Sequence, residues 1–467
     1  MTQMRLDSVM TYDKTDTESI LRHAAKLTGN TLNDLIERDE VIIGGANTKG
    51  LFGQIVEEGY FLVENNNSPL PDFQDAGIEL KVTPMKKTGR GFISKERLIL
   101  GIINYDEVPK RHFGIFLDKD SHILMVFYLW KENTNIHDYR FLKVVDWEPS
   151  PDELRVIRED WDVIEGYVMR GEAHLLSERH TKYLAACTKG VGHGKDMRSQ
   201  PFSIEPAKQR ALSFKASFMT ELYHSHVDVG ETLVDYTVDD TSSVLQGGWS
   251  LEETFEEHII HKLDRFVGKT CKEIEEELGV NLSSRSKQYY HMLVSSMFGV
   301  TGKKRIKEFV EADITIKTVR ILTSGKPEQS TSFPAFKSEE LVKQSWENSD
   351  FFNQIDHEFF IPVFQLNTKH PRTKERKSLV FKGAFFWYVP DDDMEIIRGV
   401  WEDTKQKILE ERFDDFVKIS DRRIAHVRPH GNKSDYDTYN GKKFSKKGFW
   451  FNNDYMEEVI NSHLKNR

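Results

Sequence analysis

Four signals in the first half of the chain return, in the same order, in the second half. Asp72-Phe73 stands seven residues ahead of Glu79-Leu80-Lys81, and Glu308-Phe309 stands as far ahead of Thr315-Ile316-Lys317. Trp147-Glu148-Pro149 with Trp161 is matched by Tyr388-Val389-Pro390 with Trp401. The loop CTKGVGHGKDMR is matched by HVRPHGNKSDY, and the aromatics after the first (Phe214, Phe218-Met219) by those after the second (Phe449-Trp450, Tyr455-Met456). Four matches in the same order point to two diverged copies of one fold rather than two unrelated mixed domains. A chain of 467 residues is also too long for one ordinary domain. The expected organisation is a first domain over 1–228, a polar, turn-rich linker over 229–249, and a second domain, a diverged copy, over 250–467.

Local patterns give the fold class. Asp16-Thr17-Glu18-Ser19 opens a helix with Ile20, Leu21, Ala24 and Leu27 as its buried stripe, ended by Gly29-Asn30. A second helix starts near Lys49, with Phe52, Ile55 and Val56 on one face. From Gly77 to Val82 the residues alternate as in a strand, placing Glu79, Lys81 and Thr83 opposite Ile78, Leu80 and Val82. Leu98–Ile103 and Ile123–Trp130 read as strands apolar enough to be central. Ser150-Pro151-Asp152-Glu153 is a capping box that starts a helix reaching about Arg170, and a further helical segment begins at Ser250. Two α/β domains are expected, each a central mixed sheet flanked by helices.

The net charge of −10 argues against a nucleic-acid partner only if the charge is spread evenly. It is segregated. Residues 81–97 carry six Lys or Arg against one Glu, and 421–447 is rich in Arg, Lys and His. Acid collects in GETLVDYTVDD and around Glu273 to Glu277. Basic stripes on an acidic body suit a double-stranded DNA groove. Two cysteines, Cys187 and Cys271, cannot form a disulfide framework or a four-thiolate zinc site. With no apolar N-terminal run and no bilayer-length apolar window, a cytoplasmic protein without a membrane partner is expected.

Pro71-Asp72 with Glu79-Leu80-Lys81 carries the chemistry. Phosphodiester hydrolysis needs a cation to neutralise developing charge and a water placed in line. Two carboxylates on neighbouring elements can hold Mg²⁺, which prefers oxygen ligands. Glu79 and Lys81, two apart on a strand, share a face, so an ammonium stands beside the cation. The helix at 49–62 offers a further acid, Glu57 or Glu58. Other signals carry less. Gly45 to Gly50 has P-loop glycine spacing, but Leu51 stands where a lysine is required. His224 and His226 lack metal-binding partners, Cys187 has no nucleophile context, and Phe385-Phe386-Trp387 reads as a buried strand.

These residues resemble the MutH nucleases, the family of the mismatch-repair nicking enzyme and the GATC-specific type II restriction endonucleases, above all its staphylococcal GATC-cutting branch. The resemblance rests on Lys49-Gly-Leu-Phe-Gly-Gln-Ile-Val-Glu57, Pro71-Asp-Phe and Gly77-Ile-Glu-Leu-Lys-Val-Thr-Pro84. It extends through SKERLILGIINYDEV, HLLSERHTKYLAACTKG, FKSEELVKQSWENSD, HVRPH and FWFNNDY. It implies a Mg²⁺-dependent endonuclease with Asp72, Glu79 and Glu57 as metal ligands and Lys81 as catalytic lysine. Lys49 would lie near the DNA backbone, and Lys119 would match a further active-site lysine. It also implies a base-reading loop at Thr188-Lys189-Gly190, with Lys189 donating to a guanine edge. Lys86 and Lys87 would contact phosphates. In the second copy Arg428, His430 and Lys433 would form a second DNA surface, acting as an allosteric effector site, so that up to two GATC sites are bound per molecule. Ser213 stands where the mismatch-repair members carry an aromatic residue beside the adenine. Thr315 replaces Glu79, and Leu293 falls at the Glu57 position, so the second copy is expected not to cut. A mismatch-repair nicking enzyme and a non-cutting DNA-binding regulator are the alternative readings, and the chain acts as a monomer or a DNA-induced dimer.

Overall fold

The computed structural model describes residues 12–38, 40–41, 51–64, 68–89, 91–189, 196–226, 240–245, 249–250, 252–366, 375–431 and 435–464. Lys49, Gly190, Lys433, the P-loop-like glycines and most of the linker lie outside them. Chain contacts define two units. Unit 1 holds Met1–Thr241 and Lys307–Asp313; unit 2 holds Ser242–Ile306 and Ile314–Arg467. The changeover at residue 241 falls inside the expected linker, but a short segment of the second half belongs to the first unit.

In unit 1 the opening helix α1 spans Thr17–Ala25, with the Asp16 carboxylate capping Ser19 N–H, and α2 spans Leu32–Glu37 behind a Thr31/Asp34 capping box. The strands are β1 (Glu79–Thr88), β2 (Gly91–Ser94), β3 (Leu98–Ile102), β4 (Ile123–Leu129) and β5 (Arg140–Trp147), followed by helix α3 (Pro151–Met169). Strands β6 (Leu184–Thr188), β7 (Met197–Gln200), β8 (Ser203–Lys208) and β9 (Arg210–Phe214) then lead into α4 (Ala216–Ser225). The main sheet runs β2-β1-β4-β5. It is mixed: β1 and β4 are parallel, from Glu79 opposite Ile123 to Met85 opposite Leu129, and the other pairs are antiparallel. Leu80 on β1 and Leu124 and Val126 on β4 pack with Ile20, Ala24, Val56 and Phe141 in one core. That core fixes which face of β1 is left for Glu79 and Lys81.

Leu98–Ile102 does not form a central strand as its apolarity suggested. It is an edge of a second sheet, β3-β9-β6, whose centre is β9, and its last two residues are exposed. The expected helix after Lys49 also differs. One α-turn, Leu51–Gln54, passes into a π-helical segment, Ile55–Tyr60, that includes Gly59. Such wide turns are rare in helices and often occur at functional sites.

Unit 2 begins with α5 (Phe255–Asp264), α6 (Cys271–Leu278) and α7 (Tyr289–Met297). The chain then forms α8 (Lys307–Glu311), which belongs to unit 1, before unit 2 resumes with β10 (Thr315–Ile316), β11 (Val319–Ile321), β12 (Thr331–Ala335), β13 (Phe359–Gln365) and β14 (Val380–Trp387). The chain ends with α9 (Asp391–Leu409), β15 (Ala425–Pro429), β16 (Tyr436–Tyr439), β17 (Lys442–Ser445), β18 (Lys447–Phe451) and α10 (Asn453–Leu464).

The expectation of two related α/β folds is borne out down to single hydrogen bonds. Gly29 N–H donates to Phe141 O at 2.9 Å, and Gly268 N–H donates to Phe381 O at 2.9 Å. Thr31 bridges Arg140 as Thr270 bridges Val380. β4 and β5 start with Ile123 opposite Trp147 and shift register after Phe127; β13 and β14 start with Phe359 opposite Trp387 and shift after Val363. This register pairs Trp147 with Trp387 as counterparts, one residue from the Tyr388 that the sequence match chose. Trp161 and Trp401 sit in helices of 19 residues each, α3 and α9.

Helix α8 is the short segment that packs within unit 1. Ser217 Oγ donates to Glu311 O at 2.8 Å, Lys215 Nζ donates to Ala312 O at 3.3 Å, and Lys307 Nζ lies 3.9 Å from Glu153. Glu308 and Glu311 are buried. Among the described residues no helix is long and apolar enough to cross a membrane.

Candidate active site

Asp72 and Glu79 face each other across the turn that leads into β1, whose neck is a Phe73–Ile78 bridge. Asp72 N–H donates to Glu79 Oε2 at 3.1 Å, and Leu80 N–H donates to Asp72 Oδ2 at 3.0 Å. One oxygen of each carboxylate is therefore fixed by backbone, which orients both groups before any ligand arrives. Glu79 Oε1 carries the ammonium of Lys81, and Lys119 Nζ lies 3.5 Å from the same atom. Lys119 is itself aimed by a 3.0 Å hydrogen bond to Ser68 O. Glu57, on the π-helical segment, feels the charges of Lys81, Asp72 and Glu79. The structure thus brings Asp72, Glu79, Lys81, Glu57 and Lys119 together.

Burial dominates the electrostatics. It pushes Glu57 up to about 7, with attraction to Lys81 opposed by repulsion from Asp72 and Glu79. It raises Glu79 too, against the pull of Lys81. For Lys81 burial acts downward, but Glu79 and Asp120 outweigh it and hold the ammonium above its ordinary value. Carboxylates crowded in this way are unfavourable unless positive charge is supplied.

Asp120 is the residue that sequence reasoning missed. It is 4% exposed, Oδ1 is buried with no hydrogen-bond partner, and burial pushes the carboxyl up to about 7 against the attraction of Lys81. It ends the turn before β4, with Asp120 N–H bonded to Phe116 O at 2.8 Å. A usable signal existed: Lys119-Asp120 stands three residues ahead of Ile123, where a buried parallel strand begins beside Glu79.

Among the described residues, no three His, Cys, Asp or Glu side chains stand close enough together to hold a metal ion as they are. The donor chemistry nevertheless suits a hard cation: oxygen ligands only, oriented by backbone, with two ammonium groups now serving as counter-charge.

The other expected residues lie elsewhere. Lys86 and Lys87 are at the far end of β1, opposite Ile93 and Phe92. Thr188 and Lys189 are exposed at the end of β6, with Lys189 N–H donating to Gln209 O at 2.8 Å. Ser213 is buried on β9, and its hydroxyl donates to Ala185 O at 3.3 Å.

In unit 2 Thr315 lies opposite Phe359 on β13, as Glu79 lies opposite Ile123. Leu293, at the Glu57 position, is a fully buried core residue, and Glu308, at the Asp72 position, lies in α8 of unit 1 rather than in a turn. Lys317 keeps the place of Lys81, but its Nζ donates to Ser332 O at 2.6 Å over the Phe333 ring, and burial lowers it to about 8. The loop positions correspond as well. His430 N–H donates to Lys446 O at 2.9 Å, as Lys189 does to Gln209, so His430 is the counterpart of Lys189. Trp450 opposite His426 is the counterpart of Ser213 opposite Ala185, and the Arg428 guanidinium lies 4.7 Å from the Trp450 ring.

Comparison with known proteins gives the same two-part pattern. The family described as DNA mismatch repair enzyme MutH matches twice, over residues 61–160 and 300–399. The type II restriction enzyme Sau3AI of Staphylococcus aureus is 30% identical over 457 residues, covering 87% of this chain and 91% of its own. The DNA mismatch repair protein MutH of Vibrio campbellii is 23% identical over 225 residues, 46% of this chain and 97% of its own. That of Shigella flexneri is 24% identical over 221 residues, 45% of this chain and 92% of its own.

Proposed function

This chain belongs to the MutH family of nucleases, and from that premise we propose that it is a cytoplasmic type II restriction endonuclease that cuts double-stranded DNA at GATC with Mg²⁺. The observation that carries the reading is the acid pair Asp72 and Glu79, backbone-oriented and set against Lys81, present in unit 1 and absent at the same register of unit 2. Restriction is favoured over mismatch repair because the restriction-enzyme relative aligns through both copies, whereas the mismatch-repair relatives align with less than half of the chain.

Asp72, Glu79 and Glu57 would hold the cation, which when bound supplies charge neutralisation at the scissile phosphate. Lys81 and Lys119 stand beside the acids, where their ammonium groups would stabilise the negative charge that builds up as the bond breaks. Lys189, with Thr188 and Gly190, reads a guanine edge, while Lys49, Lys86 and Lys87 hold phosphates and fix the register. Unit 2 holds a second GATC site through Arg428, His430 and Lys433 without cutting it, and its occupancy raises activity in unit 1. The test is digestion of unmethylated plasmid with and without Mg²⁺, followed by end mapping. Mg²⁺-dependent double-strand breaks with ends at GATC are expected. Nicks alone would favour the mismatch-repair reading, and binding without breakage would favour a regulator.

A further inference from the structure

In the reading above, Glu79 holds Mg²⁺, and its Oε1 already carries Lys81, with Lys119 3.5 Å away. An ammonium and a divalent cation at contact distance on one buried carboxylate oxygen repel each other strongly. Lys81 therefore needs another acceptor close by. Asp120 has an oxygen sealed from water and bonded to nothing. A desolvated carboxylate without a hydrogen bond is costly, and a fold retains one only under constraint. Here the constraint is plain on both sides: Asp120 N–H is tied to Phe116 O, and two residues later His122 O accepts Glu79 N–H at 3.0 Å. After Glu79, Asp120 is the acid whose charge bears most on Lys81.

We infer that Asp120 is the positioning residue for Lys81, receiving its ammonium when Glu79 turns to the cation. The inference rests on the magnesium reading. Unit 2 shows that the backbone feature alone does not produce this relation. Asp356 N–H is bonded to Phe352 O at 2.8 Å, just as Asp120 N–H is bonded to Phe116 O, yet Lys317 sits on the Ser332 carbonyl.

The experiment is Mn²⁺ titration calorimetry on the full DNA-free chain, comparing the unsubstituted protein with Asp120→Asn, Asp120→Glu, Lys81→Ala and the Asp120→Asn/Lys81→Ala double variant. Asp120→Asn leaves Lys81 competing for Glu79 and is expected to weaken Mn²⁺ roughly 10–100-fold. Asp120→Glu is expected to recover part of that loss. With Lys81 gone there is no competitor, so adding Asp120→Asn to Lys81→Ala is expected to change nothing. Equal weakening by Asp120→Asn in both backgrounds would make Asp120 a direct ligand and overturn the inference, as would unchanged affinity in the single variant. A chain that neither binds Mn²⁺ nor needs Mg²⁺ to cut would overturn the metal reading itself.

Discussion

β1 and β10 enter their sheets at the same register, one with Glu79 opposite Ile123 and the other with Thr315 opposite Phe359. From there they diverge. β1 continues for ten residues and bears a carboxylate, then an ammonium, on one face; β10 stops after two residues and bears a hydroxyl ahead of Lys317. The lysine persists in both copies, but its partner does not. In unit 1 it sits among acids that hold it charged, and in unit 2 it sits on a carbonyl and an aromatic ring, with its pKa depressed by burial. The comparison teaches that the sheet specifies where a side chain sits, whereas the charges packed around it decide its protonation and its use.

The strongest way to break this contrast is to remove the acids. Asp72→Ala or Glu79→Ala is expected to lower the cleavage rate by about 10³-fold or more while DNA affinity changes little, because these groups act on charge developed in the transition state. Gel-shift and single-turnover rates on the same duplex check it, and substantial cutting by Glu79→Ala would mean the site lies elsewhere. The effector role comes next. A plasmid with two GATC sites is expected to be cut roughly 5–150-fold faster than one with a single site, and a short GATC duplex added in trans should close the gap. Neutralising Arg428 and Lys433 should abolish the stimulation. Initial rates that are identical on both plasmids, with or without added duplex, would make unit 2 a brace.

Lys189→Ala is expected to cost about 1–3 kcal/mol of discrimination between GATC and single-base variants. Lys86→Ala and Lys87→Ala should instead weaken all sequences alike and flatten the salt dependence. Competition assays at several salt concentrations separate these patterns. The smallest expected effect sharpens the view of unit 2. His426 is fully buried with both ring nitrogens unpartnered, and burial with the nearby Arg428 charge lowers it to about 4. Its folded value lies below the unfolded value near 6.5, so its contribution is complete above about pH 6.5 and is lost as the pH falls toward 4. Thermal melts over that window should show a loss of about 2 kcal/mol that His426→Leu largely removes.

Much of the fold was legible because its signals are local. The Ser150 capping box forms as written, with Glu153 N–H on Ser150 Oγ and Ser150 N–H on the Glu153 carboxylate. Ile78, Leu80 and Val82 pack into one core as the alternation predicts, although Glu79 and Thr83 on the other face are buried too. The acid pair and Lys81 were legible because two-residue spacing on a strand fixes a shared face. Asp120 was not. The strand that starts at Ile123 is visible nearby, but its place beside Glu79 depends on the parallel pairing of β1 with β4, a long-range contact. The edge position of Leu98–Ile102 failed for the same reason: apolarity reports burial, not the number of neighbouring strands. The π-turn at Glu57 left no periodic trace, since a single widened turn shifts the pattern by one residue.

Helix α8 bears on how such a protein can be taken apart. Its residues are encoded in the second half of the gene product, but they complete unit 1, where Glu311 O caps the Ser217 hydroxyl and Lys307 reaches Glu153. A chain stopped at the linker would lack these residues. Such a truncation uncovers the ends of α3 and α4 together. A fragment ending near residue 245 is therefore expected to recover its fold, as read by thermal melts, only when a peptide carrying 307–313 is supplied.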